Sequence, residues 1–313
     1  MKLKYISFVA FAMTLSLSSC YDLNRFPGDQ LSNEKFYRNE EHAKEAMMAV
    51  YNQMQKEDVF GLQFAMDGLG GIAMGYDPQS YQTIQRGTYD VKNGRVLGKW
   101  QNLYEGIARA NGVLQNVDRC QMSDELKVQY KAEAKFMRAL YYFTLMDFFG
   151  GVPLYDESVI VSESYSEMKN KRESIENVRA FILKDLKEAA DKLPEAWDKA
   201  NYGRATKYAA LAQMGKVYLY AKDYQHAKDC FQQVISSGKY ALYDNYADLF
   251  KPGGDESSEM IFAIQNMGGV GTDPGMPMCF YMGTRESFGS CWNNVMVLSL
   301  IHISEPTRLR RIS

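Results

Sequence analysis

The feature that most limits what this chain can fold into is a pair of helical patterns, 205–221 and 224–236, parted only by Lys222-Asp223. Apolar residues in both recur three and four apart, the period of one helix face. Within them stand Leu211-x2-Met214-Gly215-x2-Tyr218 and Ala227-x3-Phe231. Gly215 and Ala227 are small, so the two helices can approach, and Tyr218 and Phe231 fill the space beside them. A looser version with a longer linker is Trp100-x2-Leu103-Tyr104-x2-Ile107 followed by Ala132-x3-Phe136. Such a unit cannot bury its own faces, so several must stack. Hydrophobic residues make up 46% of the 313 residues, enough for a sizeable core. The expected fold class is mainly α, with long irregular loops and little β.

The spacing is close to the tetratricopeptide signature. It departs at Leu211, where Trp is usual, and at Lys239, near the usual Pro. A soluble stack of helix pairs of another kind is the plainer alternative. Further helical patterns cover 40–56, 100–117, 124–149 and 175–193. Gly150-Gly151-Val152-Pro153 stops the third and Pro194 the fourth. Between them, 58–99 is rich in Gly and Tyr with few helix signals, and a loop that long in a compact domain is usually functional. Polar residues 157–172 form another loop. Met260-Ile261-Phe262-Ala263-Ile264 reads as a buried strand or a short apolar segment, and 266–294 is again rich in Gly, Met and aromatics.

The N-terminus carries a different signal. Lys2 and Lys4 precede an apolar run over 5–17, too short to cross a hydrocarbon core of ~30 Å but suited to a signal peptide. It ends in Leu17-Ser18-Ser19-Cys20, which resembles the lipobox of bacterial lipoproteins. There Cys20 would be acylated after cleavage, and each buried CH₂ adds about 0.8 kcal/mol to membrane anchoring. An ordinary secretory signal with an incidental Cys is the alternative. The organisation expected is a signal peptide at 1–19, a tether at 20–39, and a helical repeat domain at 40–250 that includes the loop 58–99. A loop-rich ligand-binding region, 251–300, and a tail, 301–313, complete it. Cys120 and Cys230 are expected to be free buried thiols. So are Cys279 and Cys291, although these two could pair, since connectivity is not readable from sequence.

Several function classes find no support. A formal net charge of -2 lacks the basic footprint of a nucleic-acid binder. His42, His226 and His302 show no metal-ligand spacing, and no GxSxG is present. Gly68-x-Gly70-Gly71 lacks the strand-then-helix setting of a phosphate loop. No metal, cofactor or catalytic residue is therefore expected. Tyr is abundant, at 22 residues, and its flat apolar face and hydroxyl suit binding surfaces, although most aromatics at helical spacing belong to the core.

Longer motifs then fall in order. Ala132-Glu133-Ala134-Lys135-Phe136-Met137-Arg138-Ala139-x-Tyr141-Tyr142-Phe143 is followed by Phe149-Gly150-Gly151-Val152-Pro153-Leu154. Gly203-Arg204-Ala205-Thr206-Lys207-x-Ala209-Ala210-Leu211 and Lys216-Val217-Tyr218-Leu219 come next. Val234-Ile235-x-Ser237-Gly238-x-Tyr240-x-Leu242 and Glu259-x-Ile261-Phe262-Ala263-Ile264-Gln265 close the series. Over about 20–265 the chain resembles the SusD/RagB family. The resemblance implies a tetratricopeptide-like helical scaffold that docks a SusC-like TonB-dependent transporter. It also implies a glycan site on a loop-rich face and a lipid-anchored, surface-exposed place on the outer membrane, with no enzyme activity. Members are usually longer than this chain, and the basic end with Arg308, Arg310 and Arg311 does not fit them, so 301–313 is expected to be non-native.

Within this reading the ligand contacts are expected from the two irregular segments. The first offers Asp67, Tyr76 and Tyr81, and the second Tyr281, Trp292 and Asn293. A RagB-like peptide ligand, a repeat scaffold that binds no nutrient, and a glycosidase are the other readings. Replacing Cys20 with Ala should yield an unlipidated precursor or a soluble product. Detergent fractionation that still finds C20A wholly in the outer membrane would refute the lipobox reading.

Overall fold

The computed structural model describes residues 36–61, 73–75, 81–159, 171–251, 253–266 and 295–297. Its helices are α1 (Glu40–Asn52), α2 (Tyr81–Gln85), α3 (Gly94–Asn116), α4 (Asp124–Phe149), α5 (Ile175–Lys192), α6 (Lys207–Tyr220) and α7 (Tyr224–Ser236). Two short strands, β1 (Ala73–Gly75) and β2 (Val295–Val297), pair antiparallel with Met74 opposite Met296. From α3 to α7 each helix packs on the next in sequence, and α1 lies across α3 and α4. Local chemistry starts these helices. Ser123, Ser174 and Thr206 each accept a backbone N–H from the residue three ahead, and Asn93 accepts from Arg95 and Val96. Gly150, with φ +72°, ends α4 where a side chain would be strained.

The helix at the centre is α4. Its buried residues include Tyr130, Ala134, Phe136, Met137, Tyr141, Tyr142 and Leu145, which together exceed a single stripe. A helix apolar around most of its circumference must be covered on most sides, and α1, α3, α5 and α6 all touch it. The aromatics divide as expected of a helical core: Tyr130, Tyr141, Tyr142 and Tyr208 are buried, while Tyr202, Tyr224 and Tyr246 lie exposed. Cys120 and Cys230 are free and buried, as read from the sequence. Cys20, Cys279 and Cys291 lie outside the described residues, as do 1–35 and 298–313. Among the described residues no helix is long and apolar enough to cross a membrane.

The repeat unit behaves as its spacing requires. A Cβ on Gly215 would sit 2.5 Å from the Phe231 ring, so α6 and α7 meet because no side chain separates them there. Two local readings need correction. The third helix begins at Gly94, not at residue 100, because the Asn93 cap overrides the two glycines that had suggested loop. The first helix stops at Asn52 and tightens into a 3₁₀ turn at Gln53–Gln55 before the π turn Glu57–Gly61. Of the two readings of 260–264 the strand falls and the short apolar segment stands, with Phe262 packed edge-on against Phe136 at 5.0 Å.

Gly215→Leu should overfill the α6–α7 contact and destabilise the domain by about 1–3 kcal/mol. Urea unfolding with an unchanged midpoint would refute the close-packing account.

Candidate functional site

The two segments expected to carry ligand contacts are tied to the helical core through one small cluster. It begins with the first turns of α3. Asn93 caps the helix and also donates from Nδ2 to Thr83 Oγ1 on α2 at 2.9 Å. Arg95 donates from one guanidinium nitrogen to Glu57 Oε2 and Asp58 Oδ1, both at 3.1 Å, and lies over the Tyr81 ring at 5.1 Å. Burial lowers the Arg95 pKa, but the hydrogen bonds to Asp58 and Glu57 outweigh it and leave the pKa raised, so the guanidinium stays charged. Gly98 lets the π turn close: a Cβ there would stand 2.2 Å from Asp58 Oδ2.

Lys99 completes the base. Its Nζ donates to the Val59 carbonyl at 2.8 Å and faces the Phe148 ring at 4.6 Å. Burial of the amine pushes its pKa down to about 8, with the Asp58 charge pulling the other way. A lysine on the inner face of a helix here satisfies the carbonyl of a π turn whose own ladder is irregular.

From this base the chain reaches β1. Helix α2 buries Tyr81 and Ile84 and packs on β1, and β1 pairs with β2. The pairing joins β1, within 58–99, to β2, although the two strands are more than two hundred residues apart in sequence. Tyr81, one of the expected contact residues, lies on α2 and is only 3% exposed. The spacing of Tyr81 and Ile84 is helical, but a single turn amid Gly and Tyr gives too little periodicity to recognise. Asp67, Tyr76, Tyr281, Trp292 and Asn293 lie outside the described residues.

Clefts lined by described residues lie elsewhere. Two of about 210 and 230 Å³ flank Tyr202-Gly203-Arg204 and the 263–265 segment. Trp197 and Tyr240 line one, Met48 and Tyr51 the other. Arg204 stiffens the shared wall. It donates from Nε to Glu133 Oε2 at 3.0 Å and lies 4.0 Å over the Trp197 ring. Sequence reading quoted Arg204 and Glu133 but gave them no role. The available signal was a carboxylate inside the apolar run of 132–143, where only a paired charge is tolerated. Tyr81, the expected ligand residue among the described ones, lines neither cleft, and no group of three or more His, Cys, Asp or Glu that could hold a metal occurs among the described residues.

A family model described as starch-binding and associating with the outer membrane matches residues 28–219. The chain belongs to the SusD-like family. Among relatives of this SusD-like chain, SusD-like protein P25 of Formosa agariphila is 26% identical over 85% of the chain and 54% of its own length. A SusD homolog from Bacteroides thetaiotaomicron has the same fold, with a TM-score of 0.74 at 23% identity over 90% of this chain and 57% of its own. A laminarin-binding SusD-like protein aligns at 29% identity and a TM-score of 0.66, over 72% of this chain and 51% of its own. The chain thus spans about half the length of the relatives it matches.

The Lys99 amine gives this SusD-like protein a pH signature. Its folded pKa is below that of an unfolded lysine, ~10.4, so between about pH 8 and 10 the unfolded chain binds the extra proton. Stability must therefore rise with pH in that window, with the burial cost fully present below it. The stability of the native protein minus that of Lys99→Met should grow by about 1–2 kcal/mol from pH 8 to 9.5. A difference that stays flat in urea titrations would refute the burial argument.

Proposed function

We propose that this chain is a surface glycan-binding subunit, anchored through Cys20, that captures oligo- or polysaccharide and passes it to a SusC-like TonB-dependent transporter. The observation that carries the reading is the β1–β2 pair, in a chain of the starch-binding family. It pairs β1, which lies within the first aromatic-rich stretch of sequence, with β2, which follows the second. Tyr76 directly follows β1 in sequence, and Trp292 and Asn293 shortly precede β2. Sugar rings present apolar C–H faces that stack on Tyr or Trp, while Asp and Asn accept hydroxyl hydrogen bonds. Contacts would come from Asp67, Tyr76, Tyr281, Trp292 and Asn293, with Tyr81 supporting from beneath. The laminarin-binding neighbour makes a β-glucan the first ligand to try. The reaction is binding alone, with no covalent step.

The helical stack is the surface left for a transporter. Affinity electrophoresis against laminarin, starch and a peptide mixture separates the readings. Retardation by a glycan supports this one. Retardation by peptide alone, or co-purification with a transporter without any ligand, would replace it with the peptide or scaffold reading. Trp292→Ala and Tyr76→Ala should each weaken the bound glycan by about 1–3 kcal/mol, the scale of an aromatic hot spot, with unchanged circular dichroism. Calorimetry that finds native affinity in both would remove these two residues from the site.

A further inference from the structure

We propose that Arg95 is a positioning residue that holds the β1–β2 pair, and with it both ligand-bearing segments, in place. The inference rests on the glycan reading for its functional consequence but not for its geometry. Arg95 reaches the π turn and α2 together. Its guanidinium bridges Glu57 and Asp58 at 3.1 Å each and covers the Tyr81 ring. The π turn ends at Gly61 and α2 begins at Tyr81, on either side of β1 in sequence. One cation therefore pins both ends of the same loop.

The consequence extends to the second segment. β1 lies inside that loop, between the two pinned ends, and α2 packs on it. β2 is recorded against β1, with Ala73 opposite Val297 and Gly75 opposite Val295. A three-residue strand pair is too short to stand alone. It needs a support, and among the described residues α2 is that support. Loosening α2 should release β1, and β2 should follow. Asn93 adds a second tie from α3 to α2 through Thr83, which makes the dependence testable from two sides.

The helical core does not depend on Arg95. Its side chain is partly exposed, and α4 and α5 pack far along the chain from it, through contacts of their own. A local opening at the base should therefore leave the stack folded, as low-stability units open within stable domains.

The experiment is hydrogen exchange on the full chain without ligand, comparing Arg95→Met with the native protein. The expected result is exchange about ten-fold faster or more in peptides covering 73–75 and 295–297 together, with α4 and α5 unchanged. Arg95→Lys should restore part of the protection, because a point cation can still meet one carboxylate. Unchanged exchange in either strand overturns the proposal. Should R95M lose protection everywhere, Thr83→Val decides: it cuts the Asn93 tie without touching the guanidinium, and faster exchange confined to the two strands supports the proposal while no change overturns it. Laminarin retardation of the same variants reads the ligand face separately. Loosened strands with retained binding would leave the positioning role standing and place the glycan elsewhere.

Discussion

The structure depends on one buried cation. Arg138, on the central helix α4, is 2% exposed and donates from Nε to Asp185 Oδ2 at 2.7 Å and from a second nitrogen to Oδ1 at 2.9 Å. Its remaining nitrogen donates to Asn111 Oδ1 and to Glu157 Oε2. Burial works against the charge, but hydrogen bonds and the charges of Asp185 and Glu157 raise the Arg138 pKa and hold the guanidinium ionised. Apolar residues of the same volume would leave these helices about as stable. What they would not supply is register. A bidentate arginine accepts its carboxylate in one plane, so α3, α4 and α5 are keyed at a single height. The same guanidinium stacks on Phe181, adding a third constraint from α5.

Around that key a strap of chain is fastened. Tyr104 donates to the Pro153 carbonyl at 2.8 Å, Asn111 to that of Tyr155 at 3.0 Å, and Gln115 to those of Glu157 and Val159. The exit of α4 is thereby satisfied by side chains of α3, where an extended segment has no ladder of its own. A second key lies one turn away. Glu133 accepts from Tyr51 on α1 at 2.8 Å and from Arg204, while the Ala205 N–H donates back to Tyr51 Oη. The two buried charged residues of α4 thus fix five segments without meeting each other, and Gly106 leaves room for the Tyr141 ring, whose hydroxyl donates to the Val50 carbonyl on α1.

The parts legible in the sequence were those governed by period and by size. Helix faces recur every three to four residues, and Gly215 marked the close contact with Phe231 before any coordinate did. The caps were less legible. Asn93 followed by two glycines within five residues reads as loop, yet Asn93 starts a helix of twenty-three residues because tertiary contacts at Arg95 and Lys99 reward it. The buried charges had a weak signal, a Glu and an Arg on the apolar side of a helix, but their partners Asp185 and Arg204 lie far along the chain and no local rule pairs them. The candidate site was legible only as a region. Tyr81 and Tyr76 look alike in sequence, and whether a tyrosine faces ligand or core depends on a one-turn helix and a strand pair whose halves are widely separated. Such long-range pairing carries little local trace.

These two modes of attachment suit the proposed role. The helical stack is held by fully buried charges whose loss would leave an uncompensated ion, so it resists change. The loop base is held by ion pairs with partly exposed partners: Arg95 retains 22% of its side-chain exposure and Glu57 47%. Pairs of that kind each contribute less than a buried pair, so the loop base opens more readily than the stack. A receptor family that reads many glycans needs a scaffold that stays fixed while the reading surface varies. Here the division runs along α3 itself, between its first two turns and the rest. The helix starts at the loop base and passes Lys99, whose amine is buried and donates to the Val59 carbonyl, before it reaches Asn111 at the Arg138 key. The same element therefore joins the loop base at one end to the Arg138 key at the other, and the β1–β2 pair is tied to the core through it.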